Sequence, residues 1–236
     1  MKECRFCDLD STLIFSHKHE IGEKKVVEYL NGKEQSYMQV HIYEIFRSIG
    51  KNIIPLTSRT IAQYERIIFP TVPKYALIDN GGLLLIDGKI DEEWMKETIR
   101  NTADDVKKMR LIESSLNEYG EIIWQDNLVV FLKLLDEREY EKIINIVKEK
   151  DLLLFEHGSK KYICSKYMNK GMAIKRFREK FMVKTAYMAG DSTVDYATVP
   201  YVDELFLSKD LENVLPLCTN ISYWDKLDLA EKILKG

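Results

Sequence analysis

Two aspartates, Asp8 and Asp10, stand two residues apart in the run Phe6-Cys7-Asp8-Leu9-Asp10-Ser11-Thr12-Leu13-Ile14, where an apolar segment gives way to polar residues. In an extended strand alternate side chains share a face, and where the chain curls out of the sheet the second carboxylate can swing toward whatever the first one attacks. That pairing suits phosphoryl transfer, with one carboxylate as nucleophile and the other as proton carrier. The Thr12 hydroxyl and the turn amides can hold phosphate oxygens. Taken alone, the same run also reads as a polar surface turn.

Three more stretches occur at the ends of apolar runs, in the order that phosphoryl transfer to an aspartate needs. Ile53-Ile54-Pro55-Leu56 runs into Thr57-Ser58-Arg59-Thr60, and a hydroxyl at a strand end can bind a phosphate oxygen. Met168-Asn169-Lys170-Gly171 sets a lysine at an expected helix start, where its ammonium and the helix amides together attract an anion. Ala186-Tyr187-Met188-Ala189 leads into Gly190-Asp191-Ser192-Thr193-Val194-Asp195, a second acidic loop suited to a metal ion.

In this order and context the residues resemble the haloacid dehalogenase (HAD) superfamily of hydrolases, most of whose members are phosphatases. The resemblance implies that Asp8 is the nucleophile and forms an aspartyl-phosphate, while Asp10 protonates the leaving oxygen and then activates water. It implies that Thr57 binds the transferring phosphoryl group and that Lys170 neutralises charge between that group and the nucleophile. Asp191 is expected to hold Mg2+ together with the Asp8 carboxylate and the Asp10 backbone carbonyl, with Asp195 supporting the metal from behind. Thr12, Ser58, Arg59 and Asn80 are the further expected substrate contacts. Ser11 occupies a position where many members carry glycine, which bears on the local turn and on none of the reacting groups.

Electrostatics supports the same chemistry without the family. Three carboxylates gathered within a few ångströms raise one another's pKa unless a cation intervenes, and a divalent ion with Lys170 supplies it. Mg2+ suits a donor set made only of oxygens, because it binds through one or two carboxylates plus phosphate and keeps several waters.

The 236 residues, 45% hydrophobic and 31% charged, are enough for a core of ordinary size and for two units. The net charge of -3 comes from 35 basic and 38 acidic residues mixed along the chain, with no basic stripe to track a nucleic-acid backbone. No apolar run approaches the roughly 20 residues that span a bilayer. The start Met1-Lys2-Glu3-Cys4-Arg5 leads into a strand instead of a secretory signal, so the expected location is the cytoplasm, with neither nucleic acid nor membrane as partner. Cys4 and Cys7 form a C-x-x-C, but residues three apart on a strand point to opposite faces and do not readily chelate one ion.

The expected architecture is a doubly wound α/β core, a Rossmann-like parallel sheet with an inserted α+β domain. Arg5 to Leu9, Ile53 to Leu56, Tyr75 to Ile78, Thr185 to Ala189 and Glu204 to Leu207 read as buried parallel strands. Helices are expected over Tyr37 to Ile49, Ile61 to Ile67, Gly171 to Lys180 and from about Ala197 onward. Val26 to Tyr37, broken by Asn31-Gly32, reads as a β-hairpin. Residues 83–165 carry their own pattern of a hairpin, a long charged helix, two strands, a second helix and a strand pair. They are expected to form a separate cap, with 1–82 and 166–236 as the core. An insertion here resembles the C2 cap of the Cof-like and sucrose-phosphatase-like branch, whose Asn-Gly signature matches Asn80-Gly81. The resulting expectation is a Mg2+-dependent phosphatase acting on a small phosphorylated metabolite, a sugar phosphate or nucleotide-like ester. Its rivals are a phosphomutase with the same nucleophile and a noncatalytic module that binds a phosphorylated ligand.

Overall fold

A computed structural model describes residues 2–157 and 160–235. In chain order the strands and helices are β1 (Glu3–Cys7), β2 (Phe15–Ser16), β3 (Lys24–Leu30), β4 (Lys33–Gln39), α1 (Val40–Ile49), β5 (Ile53–Pro55), α2 (Ile61–Tyr64), β6 (Tyr75–Ile78), β7 (Leu83–Ile86) and β8 (Lys89–Ile90). There follow α3 (Glu92–Asn117), β9 (Gly120–Gln125), β10 (Val129–Leu134), α4 (Tyr140–Glu149), β11 (Leu153–His157) and β12 (Lys160–Cys164). The chain closes with α5 (Lys170–Phe181), β13 (Thr185–Gly190), β14 (Glu204–Ser208), β15 (Ile221–Trp224) and α6 (Leu229–Lys235). It divides into two compact units, one made of Met1–Asp91 with Asn169–Gly236, the other of Glu92–Met168.

The first unit is built on a parallel sheet of order β15-β14-β13-β1-β5. Helices cover both sides of its central strands. Successive residues of β1 show this directly: the Phe6 ring meets Phe177 of α5 edge-on at 5.4 Å, while the guanidinium of Arg5 reaches the carbonyls of Ile233 and Leu234 in α6. This is the doubly wound α/β core that the alternation of apolar runs and helical periods foretells. Asp8, Thr57 and Asp191 each follow a strand of the contiguous set β5-β1-β13, at the carboxyl ends where open α/β sheets bind ligands.

Several local expectations are corrected. Tyr75–Ile78 meets the parallel sheet through an isolated Leu56–Leu77 bridge, and pairs along its length with antiparallel β7. β7 and β8 continue from β6 within the first unit, and the second unit runs from Glu92 to Met168. The helix expected from about Ala197 is instead a 3-10 segment, Thr193–Tyr201, interrupted by Pro200. Tyr37 lies in β4, and α1 begins three residues later.

The expected hairpin is β3–β4, turning through Asn31 (φ 52°) and Gly32 (φ 74°), a pair of left-handed residues that matches the twist of the strands. Its register slips on either side of Glu28.

The second unit is an antiparallel sheet of order β11-β12-β10-β9 with α3 and α4. Met109, Ile112 and Leu116 of α3 and Ile143 and Val147 of α4 form one core with Val130, Leu132 and Ile163 of the sheet. Phe131, Tyr162 and Phe155 alternate with that core and pair across the strands in register. Among the described residues no helix is long and apolar enough to cross a membrane.

Candidate active site

The Asp8 amide still donates to the Ala189 carbonyl at 2.9 Å, so the sheet ladder fixes the residue's backbone before the chain departs. Its Oδ1 accepts from the Leu9 amide at 2.8 Å and lies 2.8 Å from Nζ of Lys170. Lys170 opens α5, which is capped by Asn169, whose side chain accepts from the Met172 amide at 2.9 Å. The same ammonium lies 2.6 Å from Oδ1 of Asp195. Asp195 is fully buried, and its Oδ2 takes both the amide and the hydroxyl of Ser192, at 3.0 and 2.8 Å. Gly190 makes this possible, since a Cβ there would stand 2.2 Å from the Asp195 carboxyl carbon.

Oxygens of Asp8, Asp191 and Asp195 lie within 4.8 Å of one another. Burial pushes the Asp8 pKa well above the usual carboxylate range; Lys170 opposes this, while Asp195 and Asp191 add to it. Burial and then Asp195 likewise raise Asp191, against the pull of Lys226 at 3.2 Å. Lys170 responds in the opposite sense: although burial disfavours its charge, Asp195 and Asp8 hold its pKa above the usual lysine range. The cluster thus sets three carboxyl groups against two ammonium groups among the described residues, Lys170 within it and Lys226 at its edge.

The donor set fits a divalent cation. Both oxygens of Asp195 are engaged by Lys170 and Ser192, whereas Oδ2 of Asp8 and Oδ1 of Asp191 accept no hydrogen bond among the described residues. The two open atoms are hard oxygens of the kind Mg2+ takes.

Thr12 follows β1 and Thr57 follows β5, the strand paired with it. Thr12 is completely buried, and its Oγ1 has no hydrogen-bond partner among the described residues, an arrangement that favours an incoming oxygen ligand. Thr57, also buried, accepts from the Arg59 amide at 3.1 Å. Ser58 between them is half-buried. Asn80 sits in a left-handed run, Asp79 (φ 51°), Asn80 (φ 55°) and Gly81 (φ 86°), tied to the second motif by Asp79 N to Arg59 O and Asn80 N to Thr57 O, each 2.9 Å. Gly81 is required there: its positive φ favours glycine, and a Cβ would meet that of Ala173 in α5 at 2.2 Å.

Asp10 and Arg59 have a relationship that their separate sequence readings do not contain. The guanidinium grips both oxygens of the Asp10 carboxylate, Nε to Oδ2 and Nη2 to Oδ1, each at 2.8 Å. The same Nη2 lies 3.0 Å from Oε2 of Glu28. Glu28, Arg66, Ser192 and Lys226 were not among the expected site residues. Lys226 follows β15, a strand whose mixed Ile-Ser-Tyr-Trp composition gives little period to read.

No protein-family model matches the sequence, and no curated protein does either. Solved structures do match. A sucrose-phosphatase from a Synechocystis species is 13% identical, with 82% of this chain and 88% of that one covered and a TM-score of 0.64. A haloacid dehalogenase-like hydrolase from B. subtilis, 12% identical, covers 100% of this chain and 99% of its own with a TM-score of 0.59. The chain has the haloacid dehalogenase fold. A trehalose-6-phosphate phosphatase related protein shares this fold at 15% identity, with 97% and 95% coverage and a TM-score of 0.59. In the chain's own haloacid dehalogenase fold, the four motif loops bring Asp8, Thr57, Lys170 and Asp191 to the same edge of the sheet.

Proposed function

We propose that the protein is a Mg2+-dependent phosphatase that hydrolyses a small phosphorylated metabolite, a sugar phosphate being favoured, through an aspartyl-phosphate at Asp8. One observation carries the reading: three carboxylates from two distant loops share a volume 4.8 Å across, with a single buried ammonium against two of them. A purely structural cluster gains nothing from an excess of buried negative charge. The solved structures of sugar phosphatases with this fold support the substrate class.

Asp8, Asp191 and the Asp10 carbonyl would hold Mg2+, which would supply positive charge that keeps the nucleophile ionised and screens it from the phosphoryl oxygens. Asp195 orients Lys170, whose ammonium faces the developing equatorial charge, the main demand of phosphoryl transfer. Thr12 and Thr57 offer hydroxyls to the phosphoryl group, and Ser58 and Asn80 line its approach. An oxygen of Asp8 attacks phosphorus as the ester oxygen departs with a proton from Asp10. Water then attacks the same phosphorus and returns a proton to Asp10, freeing inorganic phosphate and the Asp8 carboxylate.

A panel of phosphorylated metabolites assayed with Mg2+ and with excess chelator tests this. Phosphate release that disappears with the chelator is expected. Isomerised sugar phosphate without inorganic phosphate would identify a phosphomutase, and absence of any turnover would leave a binding module.

A further inference from the structure

Glu28 lies in the β3–β4 hairpin, far from every catalytic motif in sequence, and it is 0% exposed. Val27 beside it is also 0% exposed. Neighbours on a regular strand face opposite ways; the irregular register on both sides of Glu28 re-aims its side chain into the protein, as a bulge does. There Oε1 meets Arg66 at 3.0 Å, while Oε2 accepts from Ser36 at 2.6 Å and from Arg59 at 3.0 Å. Backbone bonds pin the same spot: Glu28 bridges to Ile67, and the Ile68 amide donates to Val27 O at 2.7 Å. Although burial works against its charge, Arg59, Ser36 and Arg66 hold the Glu28 carboxyl below its usual range.

Beyond Glu28, Arg59 directs two parallel bonds onto the Asp10 carboxylate, and its Nη1 donates to Gln63 O at 3.3 Å. Nε and both Nη2 hydrogens are thus engaged, and Arg59 serves as a tether in this arrangement. Two guanidinium groups face two carboxyl groups, and the fork geometry of Arg59 fixes direction as well as distance. A proton carrier needs that direction, because an ångström of misplacement can cost about a hundredfold in rate.

We propose that Glu28 is a positioning residue for proton transfer: by anchoring Arg59 it sets the orientation of the Asp10 carboxylate toward the leaving oxygen. This rests on the phosphatase reading, with Asp10 as the proton carrier. It predicts a dependence on the leaving group, since an ester whose oxygen departs readily as an anion needs little help from an acid.

The test compares Glu28→Gln with wild type on p-nitrophenyl phosphate and on phenyl phosphate, of similar size but with the poorer leaving group. The expected result is a kcat loss about tenfold larger on phenyl phosphate, with KM little changed on either. An equal loss on both esters, or none, would overturn the proposal while leaving the phosphatase reading intact. A wild type that hydrolyses neither ester removes that reading and this proposal with it. If circular dichroism shows Glu28→Gln to be unfolded, Arg59→Lys carries the test: it keeps the charge, loses the two-point grip, and must give the same split, an equal loss overturning the proposal.

Discussion

Nζ of Lys170 lies 2.8 Å from Oδ1 of Asp8, with both side chains nearly closed to water. The ammonium also holds Asp195 at 2.6 Å, so one cation stands between two buried carboxylates. Lys170→Met leaves both without it. Loss of a partner from a buried ion pair costs about 3–5 kcal/mol, and chemical denaturation at neutral pH should show a deficit of that order. The deficit should shrink in acid, where the orphaned carboxylates take up protons. Phosphatase activity should fall by roughly 10²–10³, the usual effect of removing one preorganised positive partner. A stable variant with full activity would contradict this role.

The raised pKa values of Asp8 and Asp191 have a definite sign in the metal-free protein. A carboxyl whose folded pKa lies above its ordinary 3.8 binds its proton more tightly when folded, so stability falls as pH rises from there through the folded value. Cation binding must displace those protons. Thermal shift by Mg2+ should therefore grow as pH rises past the ordinary carboxylate range, until both groups are ionised without the metal. Asp191→Asn should abolish the shift and raise the Tm of the metal-free protein at pH 8. An unchanged Mg2+ response in that variant would remove Asp191 from the metal site.

Gly190→Ala probes the support behind the cluster. The added Cβ would stand 2.2 Å from the Asp195 carboxyl carbon, which is already held by Lys170 and Ser192 and has no room to yield. Overpacking of this kind costs about 1–3 kcal/mol. Urea denaturation should report that loss, and kcat should fall more than KM rises, because Lys170 moves with Asp195. Wild-type stability would show that the loop is looser than its bonds imply.

Ser11 carries the left-handed φ of 61° in the turn between Asp10 and Thr12, a conformation that costs an ordinary residue about 1 kcal/mol. Ser11→Gly should therefore stabilise the protein slightly or leave it unchanged, with activity retained. A clear loss of stability would mean that the serine side chain contributes something its backbone strain conceals.

The frame of the candidate site was legible because short apolar runs ending in Asp8, Thr57 and Asp191 announce parallel strands whose carboxyl ends adjoin. Lys170 was legible at a helix start, and the structure adds the Asn169 cap before it. Glu28 was not. Its neighbours read as an ordinary alternating hairpin, and only the slipped register turns its side chain inward beside Val27. Arg59 was legible as a motif residue but not as a partner of Asp10, since nothing in the spacing of residues 10, 28 and 59 reveals a shared network. The 3-10 segment with Pro200 and the final helix α6 were missed for a related reason: the first lacks a helical period, and Leu229–Lys235 is only seven residues long.

The central claim is that the Asp8 carboxylate itself attacks phosphorus. Release of phosphate from p-nitrophenyl phosphate by Asp8→Asn in saturating Mg2+, beside wild type of matching circular dichroism, addresses it most directly. The account predicts turnover in the wild type and a loss of about 10⁴ or more in the variant, which keeps the shape of the site and lacks its nucleophile. Turnover by Asp8→Asn within a few fold of wild type would contradict it.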